Sequence, residues 1–247
     1  MKKIAIFVEG ETERDFVCEF LREIAGQKEI SIKTCTFYGG GESGTERQHT
    51  EWETLNPLVA DTKYYAQIYV STTDNRVISD INENFKGLRA QDFSRIVGLR
   101  DLRGEQHGRT MGLADLPRME LASKVVERKC LPLPVHIVIA VMEIETWFLA
   151  ETHHYACIDE RLTENMVRSN FNTLGFNPYE DDLPSTRPEP AEDLKKLYQF
   201  VGKSYSKKEK HRIRTIECLD YAEIYFNLRS KIVKLKEFVS AIDDFLT

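Results

Sequence analysis

A chain of 247 residues with 41% hydrophobic and 30% charged content is long enough to bury a proper core, as one α/β domain or as a domain with an appendage. A net charge of −6 excludes a protein that coats nucleic acid through uniform basicity, and no apolar window is long enough to span a bilayer. The opening MKKIAIFVEGE carries two lysines and an apolar run, but the run is too short for a signal peptide and an acid follows at once.

In chain order, Ile4 to Val8 form an apolar run that Glu9 and Gly10 stop. Thr12 and Asp15 have the spacing of an N-cap with an acid three residues on, and Phe16, Val17, Phe20, Leu21 and Ile24 then repeat at helical intervals as far as Gly26. Strand, turn and helix in this order place Glu9 at the carboxyl end of a buried strand, where open α/β sheets hold their ligands. Ile30 to Tyr38 alternates and is rich in β-formers, so a second strand is expected to run into a glycine-rich loop. That loop contains GxGxxG at Gly39, Gly41 and Gly44. It does not occupy the first strand-to-helix turn, so a connector or a lid is the better reading than a dinucleotide-binding turn.

Trp52, Leu55, Leu58 and Val59 are spaced for a short amphipathic helix within residues 46–61. Tyr64 to Val70 reads as a third strand or a buried helical turn, and Thr72, Thr73 and Asp74 offer caps for a helix carrying Val77, Ile78, Ile81 and Phe85. Arg95 to Leu99 is a short strand ending in RDLRG at 100–104, and residues 115–129 read as a helix that Pro132 and Pro134 bring to a close. Val135 to Val141 is nearly continuous and β-branched, the pattern of a central parallel strand, and it delivers Glu143 and Glu145 to its end. Beyond Ala150 the pattern turns helical. The Pro-rich acidic stretch 177–190 is the linker candidate, followed by a helix over 191–200 and one or two amphipathic helices over 208–247. The expected fold is therefore α/β, a mostly parallel sheet flanked by helices over residues 1–150, with a helical C-terminal region, 151–247, packing on it.

Cysteines at 18, 35, 130, 157 and 218 are odd in number, scattered and without a CxxC pair, which suggests reduced thiols in a cytoplasmic protein. The histidines lack HExxH or Cys/His spacing, which argues against zinc, and no GxxxxGK[ST] occurs, so nucleotide-driven control would have to come from a partner.

Three strands thus end in Glu9, Asp101 and the Glu143/Glu145 pair. Gathered at one sheet edge, these carboxylates would repel one another unless a hard cation such as Mg²⁺ or Mn²⁺ neutralised them, and such an ion suits phosphodiester chemistry. Glu9, Asp101 and Glu145 are the candidate catalytic residues, and Glu143 joins them as a candidate metal ligand. The plainer reading is that strand-end acids are solvated and that Glu13 favours a helix's first turn. Trp147 reads as a core aromatic rather than a base-stacking platform. Between Lys195 and Arg214, eight Lys or Arg residues stand against one acid, a local balance of +7. Lys203, Tyr205 and Lys207, with Tyr198, could there meet a nucleic-acid backbone and its bases, although a solvated charged face is the commoner cause of such a run.

The VEGETE stretch at 8–13, RDLRG at 100–104 and EIETWFLA at 143–150 resemble a Toprim-type domain. Such domains occur in topoisomerases, primases, overcoming-lysogenization-defect nucleases and an uncharacterised group found among bacterial phage-defence genes. The last group is the most similar, through an acid-x-Trp motif like Glu145-Thr146-Trp147 and a late Gly-Lys-Ser-Tyr-x-Lys segment, here Gly202 to Lys207. The resemblance implies a Toprim-like Rossmannoid sheet and a metal-dependent nuclease acting on DNA or RNA. In it Glu9 would be ligand and general acid/base residue, and Asp101 the first acid of a DxD metal motif. It also implies a separate ATPase as partner protein; a homodimer is compatible with it, and no membrane is involved. Position 103 is arginine where the motif has its second acid. Glu143 or Glu145 could supply the missing ligand, Arg103 could grip phosphate instead, or metal binding could have been lost, which would leave a non-catalytic binding or regulatory subunit.

Overall fold

Alternate residues of β1 (Lys2–Val8) point to opposite sides of a sheet, and both sides are buried. Ile4, Ile6 and Val8 enter one apolar core, while Ala5 and Phe7 enter another. A strand covered on both faces needs an unbroken apolar run, which is why Ile4 to Val8 contains no polar residue. The computed structural model describes residues 1–40, 47–72, 76–106 and 109–247.

After β1, α1 (Glu11–Ala25) packs on the first face, and β2 (Ile30–Tyr38) follows. The N-cap of α1 is Gly10, whose N–H donates to the Glu13 carboxylate at 2.8 Å. The cap therefore falls earlier than the Thr12/Asp15 spacing suggests, and Gly26 closes the helix as expected. β5 (Tyr64–Val70) lies parallel to both β1 and β2. α2 (Arg76–Ala90) then crosses to the opposite face, where Val77 and Ile81 press on β6 (Arg95–Asp101). A Cβ at Gly98 of β6 would stand 2.8 Å from the Ile81 side chain, so a larger residue would force α2 side chains off this strand. α3 (Leu116–Lys129) leads to β9 (Val135–Ala140), parallel to β6. With β3 (Gln48–His49) and β4 (Glu53–Asn56), the sheet order is β3-β2-β5-β1-β6-β9, with β4 also on β2. The expected α/β fold with a mostly parallel, helix-flanked sheet is the one observed.

Three local expectations need correction. Residues 46–61 form no helix among those described; β3 (Gln48–His49) and β4 (Glu53–Asn56) instead extend β2 antiparallel. Leu58 and Val59 are exposed, while Trp52 and Leu55 pack against opposite faces of the sheet, so there is no single apolar stripe for a helix to bury. The β-branched run 135–141 belongs to an edge strand rather than a central one. Its apolar character follows from helices on both faces, and the Glu127 carboxylate of α3 takes the edge N–H of Ile137 at 2.8 Å. The five cysteines are not all thiols: Cys157 and Cys218 form a disulfide, whereas Cys18, Cys35 and Cys130 are free and buried as expected. A pair 61 residues apart leaves no local spacing signal.

A second small ribbon, β7 (Glu105–Gln106) with β8 (Arg109–Thr110), follows β6. Beyond β9, α4 (Glu145–Ala150) and α5 (His154–Ile158) begin the helical region. α6 (Glu164–Ser169), α7 (Phe171–Leu174) and α8 (Leu183–Thr186) are short, and α9 (Pro190–Gln199) and α10 (Glu209–Cys218) are longer. The disulfide joins α5 to α10. α11 (Tyr221–Glu223), a π turn at Ile224–Leu228 and α12 (Arg229–Lys231) lead to α13 (Val233–Leu246). Phe16 of α1 meets the rings of Trp147, Phe148, Tyr221 and Phe238 at 5.7–6.1 Å, so the helical region and the sheet share one core. Trp147 is the core aromatic expected of it. No helix among the described residues is long and apolar enough to cross a membrane.

Candidate functional site

Because α1 and α2 leave the sheet on opposite faces, the chain parts at the carboxyl end of β1, and a crevice opens there. Glu9 leaves β1 at this point, Asp101 ends β6, and Glu143 and Glu145 follow β9. Two non-glycine residues at strand exits adopt left-handed backbone: Thr72 after β5 (φ 63°) and Met142 after β9 (φ 64°). For β-branched Thr72 this conformation is costly. It is held by its N–H on the Glu9 carbonyl (2.9 Å) and its hydroxyl on the Phe37 carbonyl (2.9 Å), so it ties the ends of β1, β2 and β5 together. The Met142 carbonyl likewise accepts the Arg103 N–H at 2.7 Å, joining the ends of β6 and β9.

Asp101, Glu143 and Glu145 come together as the sheet topology predicts: one carboxylate oxygen from each lies within 4.8 Å of the others, and all three residues are buried. Asp101 accepts the Ile144 N–H at 2.9 Å with Oδ1. Glu145, fully buried, accepts the Tyr205 hydroxyl at 2.7 Å with Oε1, while its Oε2 has no hydrogen-bond partner among the described residues. Glu9 stands beside this group; its Oε2 accepts the Asp101 N–H at 3.3 Å. Glu13, buried and turned back onto Gly10, adds a fifth carboxylate.

Lys207 sits among them. Its Nζ is 3.1 Å from Glu143 Oε1 and 3.8 Å from both Asp101 Oδ2 and Glu145 Oε2. Burial and the charges of Glu13 and Glu9 hold the Asp101 pKa well above the ordinary carboxylate range, against the pull of Lys207. Burial is also the main cause that lifts Glu145 to about 7, with Glu143 and Glu13 adding to it and Lys207 opposing. Burial alone would lower the Lys207 pKa, but Glu145, Asp101, Glu143 and Glu13 together outweigh it and the ammonium is held more tightly than usual.

Two clefts flank this centre and share Glu9, Asp101 and Lys207. The larger, of about 430 Å³, is bordered by Gly10, Thr36 and Thr72; the smaller, of about 260 Å³, by Arg103, Gly104 and Thr110. Arg103 does not stand free toward them, since its guanidinium lies 2.9 Å from Glu189 and 3.8 Å from Glu143. Lys203 is exposed at the surface. The expectation that Tyr205 offers a stacking face does not hold: it is 1% exposed, beside the equally buried Tyr198, and its hydroxyl serves Glu145. Gly41 and Gly44 of the glycine-rich loop, with Thr73 and Asp74 of the expected helix cap, lie outside the described residues.

Arg212 goes unnoticed in the sequence. It is 3% exposed and pairs with Asp15 at 2.6 Å and Glu11 at 2.9 Å, and it donates to the Lys207 carbonyl at 2.9 Å. It therefore latches the Lys207 segment to the first helix. The late Gly-Lys-Ser-Tyr-x-Lys segment points to this neighbourhood but not to Arg212 itself.

No protein-family model matches the chain, and no curated protein is similar to it. Among solved structures, a candidate cell surface hydrolase from Lactobacillus plantarum WCFS1 is similar at 13% identity and a TM-score of 0.32, over 59% of this chain. The match spans 56% of that protein's length, and a likeness this slight carries no functional conclusion.

Proposed function

We propose that this chain is a Toprim-type hydrolase that cuts DNA or RNA phosphodiesters with Mg²⁺ or Mn²⁺. In this reading it is the effector of a bacterial anti-phage or toxin-like system and works with a separate ATPase. The supporting observation is Glu145 Oε2, a buried carboxylate oxygen without a hydrogen-bond donor among the described residues, on the side where oxygens of Asp101 and Glu143 converge. Leaving such an atom unsatisfied is costly, and three converging carboxylates suit a hard divalent cation. Asp101, Glu143 and Glu145 would hold the ion, which when bound would stabilise charge on a phosphoryl oxygen. Glu9 borders both clefts and would accept a proton from the attacking water. Exposed Lys203, Lys208 and Lys210 would draw in a polyanion that the acids alone would repel.

The test is cleavage of plasmid DNA and single-stranded RNA by the purified chain with Mn²⁺, with and without chelator. Cleavage should vanish on chelation and fall by at least about 100-fold in Glu9→Ala, the scale of a lost general base. Unchanged cleavage in that variant would place the activity elsewhere. A second reading, a non-catalytic subunit of a defence complex, is favoured by Arg103 in place of a second motif acid and by Lys207, a cation already among the carboxylates. Calorimetry separates the two, because that reading expects no Mn²⁺ binding to the folded protein.

A further inference from the structure

Asp101, Glu143 and Glu145 each divide their carboxylate oxygens between two duties. Asp101 gives Oδ1 to the Ile144 N–H and turns Oδ2 to Lys207; Glu145 gives Oε1 to Tyr205 and turns Oε2 to Lys207. Glu143 turns Oε1 to Lys207, while its Oε2 faces the Ala191 N–H and Arg103. The oxygens left for an incoming cation are thus the ones that face the ammonium. An ion bonded to them at about 2.0–2.6 Å would come between them and Nζ, and two cations in near contact repel strongly in a buried site.

We propose that Lys207 is the resident counter-cation of the acid centre and that a divalent ion binds only by displacing its ammonium, an inference that rests on the metal reading above.

The surroundings of Lys207 suit such an exchange. Its backbone is anchored, because the carbonyl is held by Arg212, itself paired with Asp15. Its side chain is half exposed and borders both clefts, so the ammonium can leave by rotating its own flexible stem without moving the chain. In the metal-free centre the Lys207 ammonium is paired with the carboxylates rather than offered to a polyanion. Once an ion is bound, the released ammonium stands at the mouth of the clefts, where a phosphate would arrive. Metal loading and anion affinity become coupled: the ion frees the cation that receives the substrate, and a bound anion in turn favours the metal-loaded state.

Two measurements on the full chain test this. Mn²⁺ affinity, read from free Mn²⁺ by electron paramagnetic resonance, should be at least about tenfold tighter in Lys207→Met than in the wild type, since the competing charge is gone. In the wild type, acetylation of Lys207 by an active ester, mapped by mass spectrometry with exposed Lys203 as internal reference, should rise several-fold at saturating Mn²⁺. The second readout does not depend on how the variant folds. Binding by the variant alone supports the proposal. Equal affinity in the two proteins, or Lys207 labelling that Mn²⁺ leaves unchanged or lowers, overturns it while leaving the metal reading intact. Binding by neither protein overturns both.

Discussion

The two halves of the acid centre arrive on different kinds of structure and bring opposite things. Glu9, Asp101, Glu143 and Glu145 come from strand exits and bring negative charge that the local backbone only partly satisfies. Tyr205, Lys207 and Arg212 come from the connector between α9 and α10 and from the start of α10, and they bring donors and positive charge. Charge repulsion is thus built into the rigid sheet, and its relief is placed on a segment that reaches the site only through tertiary packing. Removing a group from the connector half should destabilise the fold, whereas neutralising one on the strand half should stabilise it.

The largest effect is expected at Arg212. Replacing it with methionine leaves Asp15 at the α1–α10 contact with Arg14 as its remaining partner among the described residues, and a broken buried pair costs about 3 kcal/mol. Urea unfolding should show that loss. A change below about 1 kcal/mol, the scale of an exposed pair, would mean that Arg14 suffices for Asp15 and that the latch is not structural. Tyr205→Phe comes next. It removes one hydroxyl and leaves the Glu145 carboxylate without a hydrogen-bond donor among the described residues, at a cost of about 1–2 kcal/mol. No loss of stability would show that water replaces the hydroxyl and that Glu145 is wetter than its burial implies.

The same division explains what the sequence makes legible. β1, α1 and the strand-end acids are readable because apolar runs, a glycine stop and the rule that parallel strands share one carboxyl edge are local signals. The connector is not readable in this way. A tyrosine in a basic run looks the same whether it stacks on a base or serves a buried carboxylate, and only the docking of residues 200–208 against α4 decides that Tyr205 does the second. Lys207 is picked out by its charge, but its place among the carboxylates depends on two strand exits, those of β6 and β9, that lie far from it in the chain. The helix expected over 46–61 fails for a related reason: Trp52 and Leu55 are claimed by opposite faces of the sheet, which periodicity within the segment does not reveal. Cys157 and Cys218 meet only because α5 and α10 pack together.

Glu145→Gln carries the smallest expected change in stability, with the opposite sign. Above neutral pH, past the pKa of about 7 to which burial lifts it, the wild-type side chain holds charge at zero exposure beside Glu143 and Glu13, with the half-exposed Lys207 near its second oxygen. The amide keeps the shape, keeps an oxygen for the Tyr205 hydroxyl and supplies N–H donors to the neighbouring carboxylates. Metal-free stability should therefore rise by about 1 kcal/mol, the usual gain when strain set up for a site is relieved. The wild type should recover the difference when Mn²⁺ is added, because a ligand that binds only the folded state raises the melting temperature, and the variant should not respond. A variant that is less stable without metal would show that Lys207 already balances the centre, and that its charges are arranged for the fold rather than for an ion.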